Sequence, residues 1–116
     1  EEVMDDFKAS SYVRYQGEKL AARFTAYSYW HLTKAMDTHN LARGRKPLEE
    51  TLQTIRAKTL VMGITSDLLC PLAEQKFLAE HIPHATFVSI DSLFGHDGFL
   101  VETPAISKAI SAWMND

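Results

Sequence analysis

The pentapeptide Gly-x-Ser-x-Gly occurs nowhere in the 116 residues. Its absence excludes a serine nucleophile presented on a strand-to-helix elbow from within this sequence. There is one cysteine, Cys70, so no internal disulfide can form, and the composition suits a reducing cytoplasm. No apolar run approaches the roughly 20 residues that span a bilayer, and no signal-peptide pattern opens the chain. A membrane partner is therefore not expected, and the expected location is cytoplasmic. Charge of one sign is also scarce. Twelve basic against 15 acidic residues leave a net charge of −3, which gives no footprint for nucleic acid. The small basic cluster Arg43, Arg45 and Lys46 reads as a solvated loop rather than a phosphate clamp. Glycine and proline are few, no repeat or low-complexity stretch is present, and the composition reads as that of an ordinary globular protein. The first residues, Glu1-Glu2-Val3-Met4-Asp5-Asp6, read as those of a trimmed product.

What is there divides into two halves of different character. Up to about residue 40 the chain carries helical periodicity and aromatic residues without a strand signal. Ser10-Ser11 can cap a helix that places Val13, Leu20 and Phe24 on one face. Gly17 weakens its middle by up to ~1 kcal/mol. A second helix is predicted from about Ala26 to His39, with Tyr29, Leu32, Thr33 and Met36 on a shared stripe. Asn40 to Pro47, with Gly44 and clustered charges, is the best linker candidate.

The second half alternates. Leu48, Leu52 and Ile55 predict a short helix, and Thr59–Ile64 is a continuous apolar run, as in a strand buried on both faces of a parallel sheet. Pro71 starts a helix carrying Leu72, Phe77 and Leu78, which Pro83 ends before a second strand over Thr86–Ile90. Thr103-Pro104 reads as a cap and first-turn proline, opening a helix with Ile106, Ile110, Trp113 and Met114 inward. Strand, helix, strand, helix implies an α/β class and a right-handed parallel crossover. Two strands do not make a covered sheet alone, so the remainder is expected from elsewhere in the molecule or from another chain.

The chemistry concentrates in two motifs. Gly63-Ile64-Thr65-Ser66-Asp67 closes the first strand, and Gly95-His96-Asp97-Gly98-Phe99 follows the second. A hydroxyl nucleophile is weak until a base takes its proton, and histidine suits that task near neutrality. The imidazole must be held in one tautomer, which a carboxylate on its second nitrogen achieves. Asp67 and His96 can meet over the carboxyl edge of the sheet, where open α/β sheets bind ligands. Their order matches the last two members of a nucleophile–acid–histidine triad. Taken singly, Asp67 also reads as a turn residue bonding backbone amides, and His96 as a loop residue. Asp97 is flanked in sequence by Phe94, Phe99 and Leu100. A carboxylate in an apolar pocket needs a cationic or donor partner, for which a substrate ammonium would serve; a helix N-cap at Gly98 is the alternative.

Other candidates are weaker. Cys70 could replace the missing nucleophile, but a small packed thiol is the plainer reading. His81 and His84 flank Ile82-Pro83 without further ligands nearby, so they read as surface residues and no metal site is expected. His31 and His39 read as structural or exposed. The dense aromatics Tyr12, Tyr15, Tyr27, Tyr29 and Trp30 suit an interface or an active-site cover.

Ser11 to Lys19, Arg23-Phe24, Lys34-Ala35-Met36-Asp37, Gly63 to Pro71 and Gly95 to Glu102 together resemble the homoserine O-acetyltransferase family. The resemblance runs from residue 10 onward and matches the carboxyl-terminal third of such an enzyme. It implies an α/β-hydrolase fold. Residues 1–46 would be a helical lid segment that also makes a homodimer contact, and residues 47–116 the C-terminal part of the core. It further implies Asp67 as acid, His96 as general base and Asp97 as the group holding the substrate ammonium. The substrates would be L-homoserine and acetyl-CoA, with an acetyl-serine intermediate and no resident cofactor. The serine, the oxyanion hole and an arginine for the substrate carboxylate would lie upstream. Where family members often read Arg-Phe-Asp-Ala-Asn-Ser-Tyr, this chain has Arg23-Phe24-Thr25-Ala26-Tyr27-Ser28-Tyr29. Neighbouring readings are a serine O-acetyltransferase, a homoserine O-succinyltransferase, or a non-catalytic interaction module.

Overall fold

A computed structural model describes residues 7–116; the reading of Glu1–Asp6 as a trimmed start lies outside them. The chain divides into two compact units, the first ending at Asn40 and the second running Leu41–Asp116.

The first unit contains helices α1 (Lys8–Arg23) and α2 (Ala26–Asp37). The expected cap at Ser10-Ser11 is not formed. The helix begins at Lys8 behind Phe7, which supplies no side-chain cap, and the Ser11 hydroxyl donates back to the Lys8 carbonyl at 2.9 Å from inside the first turn. Phe24 lies beyond the helix in an extended conformation. Thr25 caps α2, its hydroxyl oxygen accepting from the Ser28 N–H at 3.1 Å. Threonine is among the residue types that suit this capping position. The predicted stripe is present, with Tyr29, Leu32, Thr33 and Met36 lining a shallow concavity with Leu20 and Phe24. Neither helix buries a residue within this unit.

The second unit opens with a turn in which Gly44 takes a left-handed backbone (φ 68°). Helix α3 (Leu48–Leu52) is shorter than its pattern suggested. Ile55 falls past its end, while Leu52, at 1% exposure, is the most deeply buried large side chain among the described residues. Strand β1 (Thr59–Ile64), helix α4 (Leu72–His81) and strand β2 (Ala85–Ile90) follow. The strands pair in parallel, Thr59 opposite Ala85 through Ile64 opposite Ile90, so both end at the same edge. This is the α/β arrangement that the alternation implied. Helix α4 packs on the strands where Gly63 leaves room. A Cβ there would sit 2.6 Å from Leu72 Cδ1. His84, at φ 60°, turns the chain into β2.

After β2 come a 3-10 turn (Gly95–Asp97), a short helix α5 (Gly98–Val101) and α6 (Thr103–Asn115). Thr103 is the first residue of α6 rather than its cap, with Pro104 in the first turn. Of the four residues expected inward, Ile106 and Trp113 are half-buried, Ile110 is 37% exposed and Met114 is 71% exposed. Ala105, Ala109 and Trp113 line an apolar groove with Thr86, Val88 and Ile90 of β2. Among the described residues the sheet has two strands.

Candidate active site

Both strands stop at one edge, and the segments leaving them are tied together there. The Thr65 N–H donates to the Ile90 carbonyl at 3.0 Å, extending the ladder by one step. The Thr65 hydroxyl donates to Asp91 Oδ1 at 2.9 Å and accepts from the Ser92 N–H at 3.2 Å. The Ser66 hydroxyl accepts from the Gly95 N–H at 2.9 Å. Gly95 has φ 58°, a conformation that favours glycine, at the turn that leads into His96. Gly98 is buried against Ile64 and Ser92, where a Cβ would meet Ile64 Cγ2 at 2.8 Å.

These ties bring Asp67 and His96 together. Asp67 Oδ2 and His96 Nδ1 are 2.8 Å apart across 29 residues of sequence. Asp67 is 6% exposed, and its other oxygen accepts from the Leu69 and Cys70 N–H groups at 2.8 and 2.9 Å. The turn-forming and histidine-orienting readings of Asp67 are thus both realised, one on each oxygen. The Cys70 N–H does most to hold the Asp67 carboxyl below its ordinary range; burial opposes it, and the His96 and Leu69 contacts add to it. An ionised carboxylate only accepts hydrogen bonds, so Nδ1 of a neutral His96 must carry the proton. Nε2 is then left with its lone pair, the form a general base requires. The ring is partly open to solvent (42% side-chain exposure) and meets Phe99 edge-on at 5.3 Å between centroids.

Other candidates are distributed differently. Asp97 is exposed, as are Phe94, Phe99 and Leu100, so the apolar pocket expected around it is not formed by these residues. It precedes α5 without making a capping side-chain bond. Cys70 is exposed rather than packed: the turn that aims its N–H at Asp67 leaves the thiol in the open, lining the same cavity as Asp67 and His96. His81 is half-buried, its Nδ1 2.8 Å from the Phe77 carbonyl and its ring stacked on Phe77, while His84 is exposed. His31 lies edge-on to Tyr27 and Trp30 on exposed α2. Sequence reasoning passed over Thr65, Ser66 and Ser92, whose hydroxyls position the His96 segment. The only sequence signal for them is a cluster of small hydroxyl residues at both strand ends.

No protein-family model matches the chain. Curated relatives do. The chain is 49% identical over 102 residues to the homoserine O-acetyltransferase of Cyclobacterium marinum, an alignment covering 88% of the chain and 29% of that protein. It is 45% identical over 107 residues to that of Salinibacter ruber, covering 92% and 30%. With that of Saccharomyces cerevisiae it shares 49% over 105 residues, covering 90% and 22%. The chain therefore spans less than a third of the length of these relatives, and it belongs to the homoserine O-acetyltransferase family as a carboxyl-terminal portion of it.

Proposed function

We propose that the full-length protein transfers an acetyl group from acetyl-CoA to the hydroxyl of L-homoserine, a step of methionine biosynthesis, with Asp67 and His96 as two members of its catalytic triad. The observation that carries the reading is the 2.8 Å contact between Asp67 Oδ2 and His96 Nδ1 at the shared strand edge, in a chain whose relatives bear that enzyme's name. His96 Nε2 takes the proton of a serine supplied upstream, and the serine oxygen attacks the thioester carbonyl. The imidazolium returns the proton to the departing CoA sulfur, leaving acetyl-serine. The homoserine hydroxyl then gives its proton to His96 and attacks the acetyl carbon, and serine leaves with that proton. Asp67 stabilises the imidazolium at both stages without itself being protonated.

Asp97, an exposed carboxylate next to His96, is proposed to hold the substrate ammonium. The open aromatic surface of α1 and α2, with Tyr12, Tyr15, Tyr27 and Trp30 exposed, supports a lid that makes a homodimer contact. The free thiol of Cys70 supports a cytoplasmic location.

Full-length enzyme assayed with homoserine and serine, and with acetyl-CoA and succinyl-CoA, tests the reading. Acetyl transfer to homoserine is the expected preference, and a preference for serine or for succinyl-CoA would replace it. His96→Ala should abolish turnover, and retention of activity would favour a non-catalytic interaction role. The 116-residue chain alone is expected to be inactive, and acetyl-CoA turnover by it would overturn the need for an upstream serine.

A further inference from the structure

We propose that Asp67, Cys70 and His96 form a binding site for a soft divalent cation, zinc(II) in the first instance, and that its occupancy withdraws His96 from proton transfer. One donor atom from each of the three residues lies within 4.8 Å of the others, a grouping of carboxylate, thiol and imidazole. Bonds of about 2.0–2.3 Å to such ligands place tetrahedral donor pairs roughly 3.3–3.8 Å apart. Asp67 Oδ2 and His96 Nδ1, 2.8 Å apart in their hydrogen bond, open to that spacing and the exposed thiol closes to it, both by side-chain rotation. Asp67, tethered to two backbone N–H groups, is the fixed point of the site.

The donor chemistry selects the ion. A single carboxylate beside a thiol and an imidazole does not suit calcium or magnesium, which require a shell of oxygens. Thiolate with imidazole suits zinc and its neighbours. All three side chains line one cavity of about 400 Å³ together with Phe99, which leaves space for the water that completes a three-ligand zinc site. On binding, the thiol gives its proton to solvent and the sulfur lone pair enters the coordination shell. The His96 proton shifts through solvent from Nδ1 to Nε2, so that the hydrogen bond to Asp67 Oδ2 is replaced by bonds to the ion and Nε2 no longer accepts a proton. No oxidant or reductant is involved. Cys70 carries the selectivity, because without it Asp67 and His96 offer two ligands only.

Cation binding stands on this geometry, whereas its effect on turnover rests on the catalytic role proposed for His96, so the two are read separately. Full-length protein is titrated with cobalt(II), whose thiolate charge-transfer absorption reports sulfur coordination. Acetyl transfer is measured in parallel with added zinc(II). A saturable band is expected from the unmodified protein and none from Cys70→Ser, with His96→Ala and Asp67→Asn weakening affinity. Removing a direct ligand should cost more than the roughly 10–100-fold lost with an outer-shell partner. Zinc should inhibit the unmodified enzyme and spare Cys70→Ser, each read as a fraction of that protein's own zinc-free turnover, with circular dichroism to confirm folding. Absence of a saturable band, its persistence in Cys70→Ser, or indifference to both His96→Ala and Asp67→Asn would overturn the site. A band that behaves as expected while His96→Ala retains turnover would leave the cation site standing and refute the catalytic reading instead.

Discussion

Asp67→Asn is the substitution that most directly tests how this site handles a proton. The carboxylate accepts from three directions, the Leu69 and Cys70 N–H groups on Oδ1 and His96 on Oδ2. An amide has one accepting and one donating end, so it fits this cradle in only one orientation. Turning its NH₂ toward Leu69 and Cys70 would set a donor against two backbone donors. The amide oxygen therefore stays on the backbone side and the NH₂ faces His96. The imidazole must then accept at Nδ1 and carry its proton on Nε2, leaving no lone pair for the substrate side. The same change in a serine-protease triad lowers kcat by about 10⁴-fold. His96 is partly solvated, which helps water support the minor tautomer, so the expected loss here is roughly 10³–10⁴-fold in kcat with KM little changed. Steady-state acetyl transfer by the full-length variant, with circular dichroism to confirm folding, measures it. A loss below tenfold in a folded variant would refute the claim that Asp67 sets the tautomer of His96.

Three further outcomes follow from the same geometry. Gly98→Ala should destabilise the protein by about 1–3 kcal/mol, because the added methyl would press on Ile64 and Ser92 at 2.8–3.1 Å; an unchanged thermal midpoint would contradict that close approach. Ser66→Ala removes the acceptor of the Gly95 N–H and should lower kcat by roughly 10–100-fold through displacement of His96, with unchanged kcat counting against the tie as a positioning element. Asp67 has a lowered carboxyl pKa when folded, so its stabilising contribution is full above the ordinary value of 3.8 and is lost as pH falls through the lower folded value. The stability gap between the unmodified protein and Asp67→Asn, from denaturant unfolding at a series of pH values, should therefore narrow across that acidic window, and a gap that widened there would reverse the sign of the argument.

The parts of this chain that sequence pattern made legible are those whose signal is local. The apolar run Thr59–Ile64 coincides with β1, and β2 begins one residue before its predicted start. Helix ends were harder to read, because serine and threonine hydroxyls have more than one nearby partner. Ser11 bonds back to Lys8 instead of capping, and Thr103 reaches the Leu100 carbonyl at 3.4 Å from the first position of α6. The inward face of α6 was read correctly at Ile106 and Trp113, which are half-buried, and wrongly at Met114, which is 71% exposed one residue from the helix end. Cys70 was misplaced as well. Its residue type favours the interior, but the turn Leu68–Cys70 is committed to presenting N–H groups to Asp67, and Leu68 (92% exposed) and Leu69 face out with it.

The two halves of the Asp67–His96 pair are built on different principles, and that decides where the site is vulnerable. Asp67 is held by contacts two and three residues away, which form as soon as the turn after β1 does. His96 is held by bonds that close loops of 26 to 29 residues, through Thr65, Ser66 and Asp67 itself. Local contacts cost little chain entropy, while closing a loop of that size must be offset by the parallel pairing of β1 with β2. A perturbation that loosens the strand pair should therefore release the base before it disturbs the acid. Hydroxyl substitutions at the strand ends should then mimic loss of the histidine while the Asp67 turn stays intact. Hydrogen exchange of the Leu69 and Cys70 amides, compared with that of Gly95, would separate the two. Protection lost at Gly95 alone in Ser66→Ala is the expected pattern, and simultaneous loss at all three would show instead that acid and base are held as one unit.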